Sequence, residues 1–407
     1  MENNLYKIST RLFESANNRD FNGHDPFDGL NSKFFKLLPF LKNSLFGLIW
    51  IQFFKRSPFF FLRKVFFIPQ SRNPKGIALY ILGTIYSLKI KYDERLLCKV
   101  IELADWLIEN QSNREIWKNS SWGYNFPWKA RAFYVPLGKP NLITTVFVGR
   151  ALLELSEYMT SINYQIDEAK KYKLLSLDVN NFLLNDLLVT YNDKKGNKEY
   201  FFSYIPGEKA FVHNVNLWGA AYLSLLYKHE LDKQKKEQYR LIAIKTAQSS
   251  ISKQLHDGSW NYGQKIHHNF IDGFHTGYNL EALNIIKNEL SYKGFNKNIE
   301  LGLSFYKTNF IEVSGAIKYF NNKTYPYDMH SVAQAVITLL ALEGKHVYGE
   351  VKKIINKSLV DMYQKDTYNF IYQINKFYKN KSNYDRWTQA WAYYSINYFL
   401  FKIKDID

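Results

Sequence analysis

Titratable side chains recur where short polar loops lead into apolar stretches. Five of them are candidates for chemistry: His213, Asp272, His275, Asp328 and His330. A histidine exchanges protons near neutral pH, and two carboxylates in one pocket can divide acid and base roles. We therefore predict proton transfer by these five residues, with Asp272 and His275 as the acid/base pair. The alternative for both aspartates is helix capping, for which aspartate is a favoured residue.

A metal site is a second kind of chemistry that such residues could support. His268, Asp272 and His275 are spaced by four and three residues, which places them on one face wherever a helix includes all three. The chain has no HExxH motif and no pair of cysteines, so we predict neither a metal nor a cofactor. It also lacks the P-loop, GxGxxG and GxSxG motifs. Nucleotide hydrolysis, dinucleotide redox chemistry and serine hydrolysis are therefore disfavoured.

Aromatic, polar and arginine side chains accompany these loops. Tryptophan and tyrosine rings can stack on the C–H faces of pyranose sugars, and arginine can hold a carboxylate or phosphate with two hydrogen bonds. Packing between neighbouring helices is the alternative for the tryptophans. The predicted substrate-binding residues are Asp25, Asp28, Trp122, Tyr124, Arg131, Asn141, Thr144, Asn216, Trp218, Tyr262, Arg386 and Trp387.

The charge balance favours an anionic partner. The 407 residues carry a formal net charge of +17, which suits an acidic glycan, a diphosphate-bearing substrate, anionic lipid or nucleic acid. Solvation of outer helix faces by lysine is the alternative. No helix-turn-helix or stacked-aromatic sheet pattern accompanies the charge, which argues against nucleic acid. The single cysteine, Cys98, and the absence of a secretory signal pattern lead us to expect a cytoplasmic protein.

The elements that must position these residues follow a repeat of roughly 50 to 70 residues, which is typical of a helical array. An apolar helix must be buried on every side, whereas an amphipathic helix can face water. We therefore predict one all-α domain over residues 1–407, with an inner ring of apolar helices inside an outer ring. Strands are expected only at residues 199–204 and 317–320. The six apolar segments begin near Asn73, Asn141, His213, Asp272, Asp328 and Arg386.

If this ring closes, the starts of the inner helices gather around a funnel at one end. Helix N-termini carry partial positive charge and free N–H groups, which suit an anion or sugar hydroxyls. The predicted catalytic and substrate-binding residues would then meet in that funnel.

Residues 31–68 combine long apolar runs with spaced lysines and arginines. The longest uninterrupted apolar run, near residues 45–51, is far shorter than the roughly 20 residues that a membrane-spanning helix needs. Two interpretations remain open. The segment lies in the interface of an anionic membrane with its basic residues on the headgroups, or it packs into the protein core.

Two resemblances add to this interpretation. The stretch from Gln254 to Trp260 (QLHDGSW) resembles the Gln…Gly-x-Trp repeat of squalene and hopene cyclases and related toroids, where it ties repeat ends together. The aspartate-rich protonation motif of the cyclases is missing, so only the toroidal fold is implied. A broader likeness rests on DPFDGLNS, KRSP, RNPKG, WGY and DGFHTG, beginning at residues 25, 55, 72, 122 and 272. It resembles a bacterial family of surface-polysaccharide (exopolysaccharide or capsule) biosynthesis proteins.

This second resemblance implies an (α/α)6 toroid, or six-hairpin barrel, like uronyl epimerases, polysaccharide lyases and unsaturated-glucuronyl hydrolases. It supplies no catalytic residues to transfer. The leading hypothesis is a carbohydrate-active enzyme of epimerase, lyase or hydrolase type, acting on an acidic glycan or its lipid-linked precursor. One alternative is a non-catalytic scaffold that binds glycan or lipid diphosphate. The other is an isoprenoid-handling toroid, which would need a deep apolar pocket.

Overall fold

The protein is predominantly helical. A computed structural model of the chain describes residues 2–131, 133–192, 196 and 198–404, and 61% of it is helix. In chain order the helices are α1 (Glu2–Asn17), α2 (Phe34–Leu37), α3 (Leu45–Arg56), α4 (Leu62–Val65), α5 (Pro74–Ile90), α6 (Glu94–Glu109), α7 (Leu142–Ser161), α8 (Ile166–Phe182), α9 (His213–Tyr227), α10 (Lys233–Ile251), α11 (Gly273–Glu289), α12 (Asn296–Phe310), α13 (Met329–Glu343), α14 (Tyr348–Asp361) and α15 (Ala390–Lys404).

The six apolar helices form a closed inner ring. Helix α5 packs on α7, α7 on α9, α9 on α11, α11 on α13, α13 on α15, and α15 returns to α5. Each of these helices is buried along most of its length, because its side chains are apolar around the whole circumference. The predicted inner ring is confirmed.

The amphipathic helices form the outer ring. Helices α6, α8, α10, α12 and α14 each pack on the inner helix that precedes them. In α6 the inward stripe is Leu97, Val100, Leu103 and Leu107, at the spacing that places residues on one helical face. Such a stripe buries one side of the helix and leaves the charged side in water.

The sixth hairpin joins the two ends of the chain. Helix α1 packs on α15 as its outer partner, and the Ser9 hydroxyl donates a hydrogen bond to Oδ1 of Asn397 at 2.9 Å. Nothing in the sequence showed that this N-terminal helix completes the ring. Together the twelve helices make the predicted (α/α)6 toroid.

Short strands decorate one end of the toroid, which we call the mouth because the inner helices begin there. They are β1 (Trp128–Lys129), β2 (Tyr134–Val135), β3 (Leu188–Asn192), β4 (Lys198–Phe202), β5 (Lys318–Phe320), β6 (Lys323–Asp328), β7 (Tyr363–Gln364), β8 (Asn369–Phe370), β9 (Gln373–Ile374) and β10 (Lys379–Asn380). Strands β4 and β5 confirm the two predicted strand regions, but the expectation of strands only there is wrong, because the other strands named above were not predicted. The antiparallel order β10-β9-β6-β5 places Gln373 opposite Asp328, where β6 ends.

Helix capping explains several polar residues at the mouth. The side chains of Asn73, Asn141, Asp272 and Asp328 accept hydrogen bonds from backbone N–H groups in the first turns of α5, α7, α11 and α13. These N–H groups have no partner within the helix, so a side-chain oxygen at this position stabilises the helix start. The capping alternative for Asp272 and Asp328 is therefore confirmed, although capping leaves one carboxylate oxygen of each free for a second role.

The stretch from Gln254 to Trp260 is a structural tie, as its resemblance to the toroid repeat implied. The Gln254 amide donates to the carbonyl of Asn298 at 2.9 Å, and the Asn298 amide donates back at 2.6 Å, which joins the end of α10 to the start of α12. The indole N–H of Trp260 donates to the Ser250 carbonyl at 3.0 Å. Gly258 occupies the turn at φ +91°, a conformation that L residues rarely adopt.

Residues 31–68 lie across the mouth and are only partly packed into it. In α3, Gly47, Ile51 and Phe54 are buried, and the Trp50 indole donates to the Gly29 carbonyl at 3.0 Å. The opposite side of the segment is exposed. No helix in the described residues is long and apolar enough to cross a membrane.

Candidate active site at the mouth of the toroid

Asp272 and His275 form a hydrogen-bonded pair at the start of α11. Oδ1 of Asp272 accepts from the backbone N–H of His275 at 2.9 Å, while Oδ2 lies 2.7 Å from the His275 ring Nδ1. The carboxylate is buried, whereas the histidine side chain is 21% exposed. When Nδ1 carries the proton, the carboxylate fixes this tautomer and leaves Nε2 as a base. One aspartate thus caps the helix and orients the imidazole.

Aromatic rings surround this pair. The ring centroids of Tyr262 and Phe274 lie 4.6 Å and 3.9 Å from that of His275, and Trp387 lies 5.4 Å from Phe274. The guanidinium of Arg386 lies 5.0 Å above the ring of Tyr124. Tyr262, Tyr124 and Trp387 therefore all lie at the mouth, but Tyr124 and Trp387 are buried, and their role in substrate binding stays a prediction.

Lys55, from α3, points toward the same region. Its ammonium lies 4.8 Å above the ring of Phe27, and its charge interacts with Asp328, Asp272 and Asp25. Burial lowers the pKa of Lys55, and the three carboxylates oppose that shift. The segment across the mouth thus contributes a cation to the site. Lys55 could not be predicted as a site residue, because nothing in the local sequence indicates that α3 lies over the inner helix starts.

A cleft of about 540 Å³ adjoins the Asp272–His275 pair, a volume typical of small-ligand sites. We call it the amide pocket. Ile271, which precedes Asp272, lines the cleft beside Phe320, whose backbone pairs with that of Asp272. The side chains of Asp272 and His275 are not among the lining residues. Side-chain amides, two ammonium groups and aromatic rings line the pocket. The residues that line the pocket are Lys55, Asn261, Asn269, Phe270, Ile271, Tyr319, Phe320, Asn321, Asn322 and Lys323.

The asparagines of the amide pocket were also missed. Asn321 and Asn322 form the β5–β6 turn, where asparagine is an ordinary residue and gives no sign of ligand binding, and Lys323 begins β6. Asn261 and Asn269 lie in the loop between α10 and α11. For Asn261 and Asn269, the only signal in the sequence was that they lie close to the motif that contains Asp272.

His330 comes close to His275 but is enclosed. Its Nε2 lies 3.2 Å from the Tyr278 hydroxyl, and its ring stacks on Phe274 at 4.6 Å and Trp391 at 4.5 Å. Burial lowers the pKa of His330 well below its usual range, with the charge of Lys75 adding to the effect. In this arrangement His330 is a neutral ring within an aromatic cluster, so it has no open path to a substrate.

Lys75 lies deeper, among the same aromatic rings. Its ammonium donates to the Tyr278 hydroxyl at 2.9 Å and lies 4.4 Å above the ring of Phe147. Burial lowers the pKa of Lys75 well below its usual range, and the charge of Arg386 lowers it further. These rings fill the axis of the toroid. The open funnel expected from the sequence is therefore a plugged mouth, with ligand space displaced to its rim.

Asp328 is fully buried and fully used. Its Oδ1 accepts from the backbone N–H of His330 at 2.9 Å, its Oδ2 accepts from the Gln373 amide at 2.7 Å, and the Trp387 indole donates to the carboxylate at 3.2 Å. Burial raises the pKa of Asp328 to about 6. A carboxyl with no exposed oxygen organises the mouth and cannot reach a ligand in this conformation.

His213 lies apart from the Asp272–His275 pair. Its Nδ1 is 3.2 Å from the Ser250 hydroxyl, its Nε2 is 2.9 Å from the Gln264 amide, and burial lowers its pKa to about 3. These contacts join α9 to the end of α10 and to the following loop. The ring turns toward the outer helix and both of its nitrogens have hydrogen-bond partners, so a catalytic partnership of His213 with His275 stays a prediction.

The two predicted aspartates of the first loop are held by arginines. Arg386 donates two hydrogen bonds to Asp25, at 2.6 Å and 2.8 Å. Asp28 accepts from Nε of Arg63 at 3.1 Å and lies 3.0 Å from Nδ1 of His24. These pairs fasten the first loop to α4 and to the π-helical turn before α15. They leave neither the carboxylates nor Arg386 free to grip a ligand.

Several predicted binding residues lie in the core instead. Trp122 and Trp218 are completely buried. The Trp122 indole donates to the Leu107 carbonyl at the end of α6 at 2.7 Å, and Trp260, two hairpins further along the chain, makes the equivalent bond to the end of α10. The packing alternative for these tryptophans is confirmed. The side-chain amide of Asn216, which is also buried, donates a hydrogen bond to the Thr246 carbonyl at 2.7 Å.

Three further predictions concern the flanks of the mouth. Asn141 caps α7 by accepting from the backbone N–H of Thr144 at 2.9 Å, and both side chains are buried. Arg131 is exposed on the loop between β1 and β2. Burial encloses the side chains of Asn141 and Thr144, and a role for Arg131 in ligand binding stays a prediction. Within the described residues no group of three or more histidine, cysteine or acidic side chains could hold a metal ion.

No protein-family model matches the chain, and comparison with curated protein sequences finds no match. Solved structures do share its fold. An unsaturated glucuronyl hydrolase specific for heparin aligns over 100% of this chain and 98% of its own, with a TM-score of 0.60 and 12% identity. Cellobiose 2-epimerase from Spirochaeta thermophila aligns over 82% and 87%, with a TM-score of 0.58 and 11% identity. A GH76 α-mannanase from Bacteroides thetaiotaomicron aligns over 82% and 87%, with a TM-score of 0.53 and 11% identity.

Identities this low establish the fold and nothing finer. The chain shares the six-hairpin toroid of these sugar-active proteins, which confirms the fold predicted from the sequence. The resemblance to surface-polysaccharide biosynthesis proteins finds no support in these comparisons and stays a prediction.

Proposed function

We propose that this protein is a carbohydrate-active enzyme that performs acid/base chemistry on an acidic glycan, with His275 as the proton-transfer residue. The observation that carries the proposal is the Asp272–His275 pair, in which a buried carboxylate lies 2.7 Å from a partly exposed imidazole. Its position at the helix starts of a toroid shared with sugar epimerases and glycan hydrolases supports the same conclusion.

Proton abstraction fits the site better than hydrolysis by two carboxylates. Most glycoside hydrolases need two carboxyl groups that reach the scissile bond. Here Asp25, Asp28 and Asp328 are buried and hydrogen-bonded, so His275 is the accessible group of the predicted set. We therefore favour an epimerase or lyase type of reaction.

In such a reaction the substrate carbon must carry an acidified C–H bond beside a carbonyl or carboxylate group. The Nε2 atom of His275 takes this proton, and the electron pair moves toward the carbonyl or carboxylate. In elimination, the C–O bond at the next carbon breaks and the imidazolium gives its proton to the departing oxygen. In epimerisation, water delivers a proton to the opposite face of the carbon, and the imidazolium releases its proton to water. Asp272 stabilises the imidazolium in both cases. Lys55 and Lys323 would hold the substrate anion in the amide pocket.

The test is a solvent-exchange assay with acidic and neutral oligosaccharides in deuterated water, alongside detection of unsaturated products. The wild-type protein should exchange a C–H proton of an acidic sugar, and His275→Asn should lose roughly 10²-fold or more in rate, as expected for removal of a general base. The matched control is His346→Asn, because His346 is exposed in the turn that follows α13, at the end of that helix away from the mouth. This variant should keep full activity. Equal rates in both variants would contradict the role of His275.

The acidic nature of the ligand is tested separately by thermal shift, since a bound ligand raises the melting temperature. Lys55→Gln together with Lys323→Gln should abolish the shift caused by acidic oligosaccharides, whereas the exposed Lys345→Gln should leave it intact. A larger shift from neutral sugars than from acidic ones would oppose the choice of an acidic glycan.

A non-catalytic glycan-binding scaffold is the second candidate. The observation that favours it is that the carboxylates predicted for the mouth all make hydrogen bonds within the protein. Binding of acidic glycan without exchange or product formation, unchanged in His275→Asn, would support it. An isoprenoid-handling role gains nothing from the structure, because the amide pocket is polar. Whether the glycan is lipid-linked, with the protein at a membrane surface, stays a prediction.

A further inference from the structure

The outer side of the segment across the mouth is an exposed apolar surface. Large patches of this kind on soluble proteins mark interaction sites more often than chance. We call this surface the apolar face. Its exposed large hydrophobic side chains are Phe34, Leu37, Phe40, Leu45, Phe46, Ile49, Phe53, Phe59, Phe61, Val65 and Phe67.

Helix α3 shows that this exposure is a property of the sequence. Ile51 and Phe54 pack inward against the mouth, while Leu45, Ile49 and Phe53, one turn apart from each other, face outward. A helix that is apolar on both sides needs a partner on both sides. The protein covers only the inner side, so the outer side has a partner outside this chain.

The charges around the apolar face point to an anionic partner. No aspartate or glutamate occurs between Asp28 and Asp93, whereas residues 29–68 contain seven lysines and arginines. Lys33 and Lys64 are exposed among the apolar side chains. An apolar partner protein would not require this complete exclusion of acidic residues.

The hairpin of β9 and β10 extends the same surface. The Tyr378 hydroxyl donates to the Arg56 carbonyl at 3.0 Å, which fixes the hairpin tip beside the end of α3. The tip presents Phe377, almost fully exposed, between Lys376 and Lys379. A second chain segment, distant in sequence, thus repeats the combination of an exposed aromatic ring with lysines.

We infer that the apolar face docks on a bilayer surface that contains anionic lipids. Exposed phenylalanine and leucine side chains would enter the interface, and the surrounding lysines and arginines would meet the lipid phosphates. The helices that carry them are too short to span the bilayer, so they would lie in its plane.

Docking in this way brings the amide pocket to the membrane surface. Helix α3 supplies both the outward Phe53 and Lys55, which lines the pocket. A glycan attached to a lipid headgroup would then reach the pocket without leaving the membrane surface. The docking inference itself does not depend on catalysis by His275.

Vesicle co-sedimentation tests the inference. The full chain is mixed with vesicles of phosphatidylcholine, or of an equimolar mixture of phosphatidylcholine and phosphatidylglycerol. We expect binding to the mixed vesicles and roughly tenfold or more weaker binding after Leu45→Ser, Ile49→Ser and Phe53→Ser are combined. The matched control combines Leu231→Ser, Val313→Ser and Val360→Ser, three exposed apolar residues elsewhere, and should bind as the wild type does.

A fluorescent label then reports where the protein touches the membrane. The chain has a single cysteine, so Cys98→Ser gives a background free of thiols. A polarity-sensitive dye on Ile49→Cys should shift to the blue with anionic vesicles, while the same dye on Leu231→Cys should not. Added salt should weaken binding because it screens the lipid charges.

Three outcomes overturn the inference: no binding of the wild-type protein to anionic vesicles, equal loss in the control combination, or a blue shift at both labelled positions. Self-association is measured in parallel by light scattering. A dimer that disappears in the Leu45, Ile49 and Phe53 variant, without vesicle binding by the wild type, would assign the apolar face to a second copy of this chain instead.

Discussion

Replacement of Arg386 by methionine should destabilise the protein strongly. Arg386 donates two hydrogen bonds to Asp25, and the two side chains are 4% and 5% exposed. Methionine removes the cation and both bonds but retains much of the apolar volume. The carboxylate of Asp25 then remains buried with one bond, from the backbone N–H of Phe27 at 3.0 Å. Breaking a buried ion pair from one side costs about 3–5 kcal/mol, because the remaining charge has lost its partner.

Urea unfolding of four proteins measures this cost. Asp25→Asn combined with Arg386→Met removes the unpaired charge and keeps the oxygen that accepts from Phe27, so it should recover about 2 kcal/mol or more relative to the single variant. Arg114→Met, which breaks a pair with Asp178 near the surface, should cost less than about 1 kcal/mol.

The result also decides between two roles for Arg386. If Arg386→Met loses no more stability than Arg114→Met while ligand binding disappears, the structural account is refuted. Arg386 would then be the ligand-gripping residue that its sequence position suggested. If the free energy of unfolding falls by the expected amount and the double variant recovers it, the ion pair of Asp25 and Arg386 stabilises the contact between the first loop and the turn before α15.

Two further predictions concern structural ties at the mouth. Gly258→Ala should lower the free energy of unfolding by about 1–3 kcal/mol or more, because the residue has φ +91° and a Cβ would lie 2.3 Å from the Leu301 carbonyl oxygen. The control is Gly349→Ala, in an open position of α14, which should be neutral or slightly stabilising in the same unfolding experiment. His213 has a pKa of about 3 in the folded protein and near 6.5 in the unfolded chain, so the folded protein binds fewer protons between these pH values. The contribution of His213 to the free energy of unfolding should therefore fall by roughly 3 kcal/mol from pH 7 to pH 4. His213→Gln should remove that part of the pH dependence, and an unchanged slope would contradict it.

Some of the candidate site could be recognised from the sequence, because the decisive residues are close together in the chain. Asp272 and His275 are three residues apart at a helix start, so local helix geometry alone brings the carboxylate to the imidazole. The same locality revealed the tie formed by Gln254 and Trp260. Patterns of this kind can be recognised without any knowledge of the tertiary structure.

Other site residues could not be assigned, because their environments depend on distant segments. His213 and His330 occupy similar positions at helix starts, yet one turns to Ser250 and the other enters an aromatic cluster with Trp391. Nothing near either residue distinguishes these fates. Lys55 reaches the site only because its helix crosses the mouth.

Hydrophobic periodicity was enough to separate the helices that must be buried on all sides from those that can face water, while the closed six-hairpin toroid was implied by resemblance. The sequence by itself also determined the leading pair, Asp272 and His275, through local spacing. The pairing of Asp25 with Arg386 and the aromatic cluster on the axis became apparent only from the folded structure. The same tertiary packing left one side of residues 31–68 uncovered. These outcomes depend on contacts between segments hundreds of residues apart, whose distances are set by ring closure rather than by local pattern.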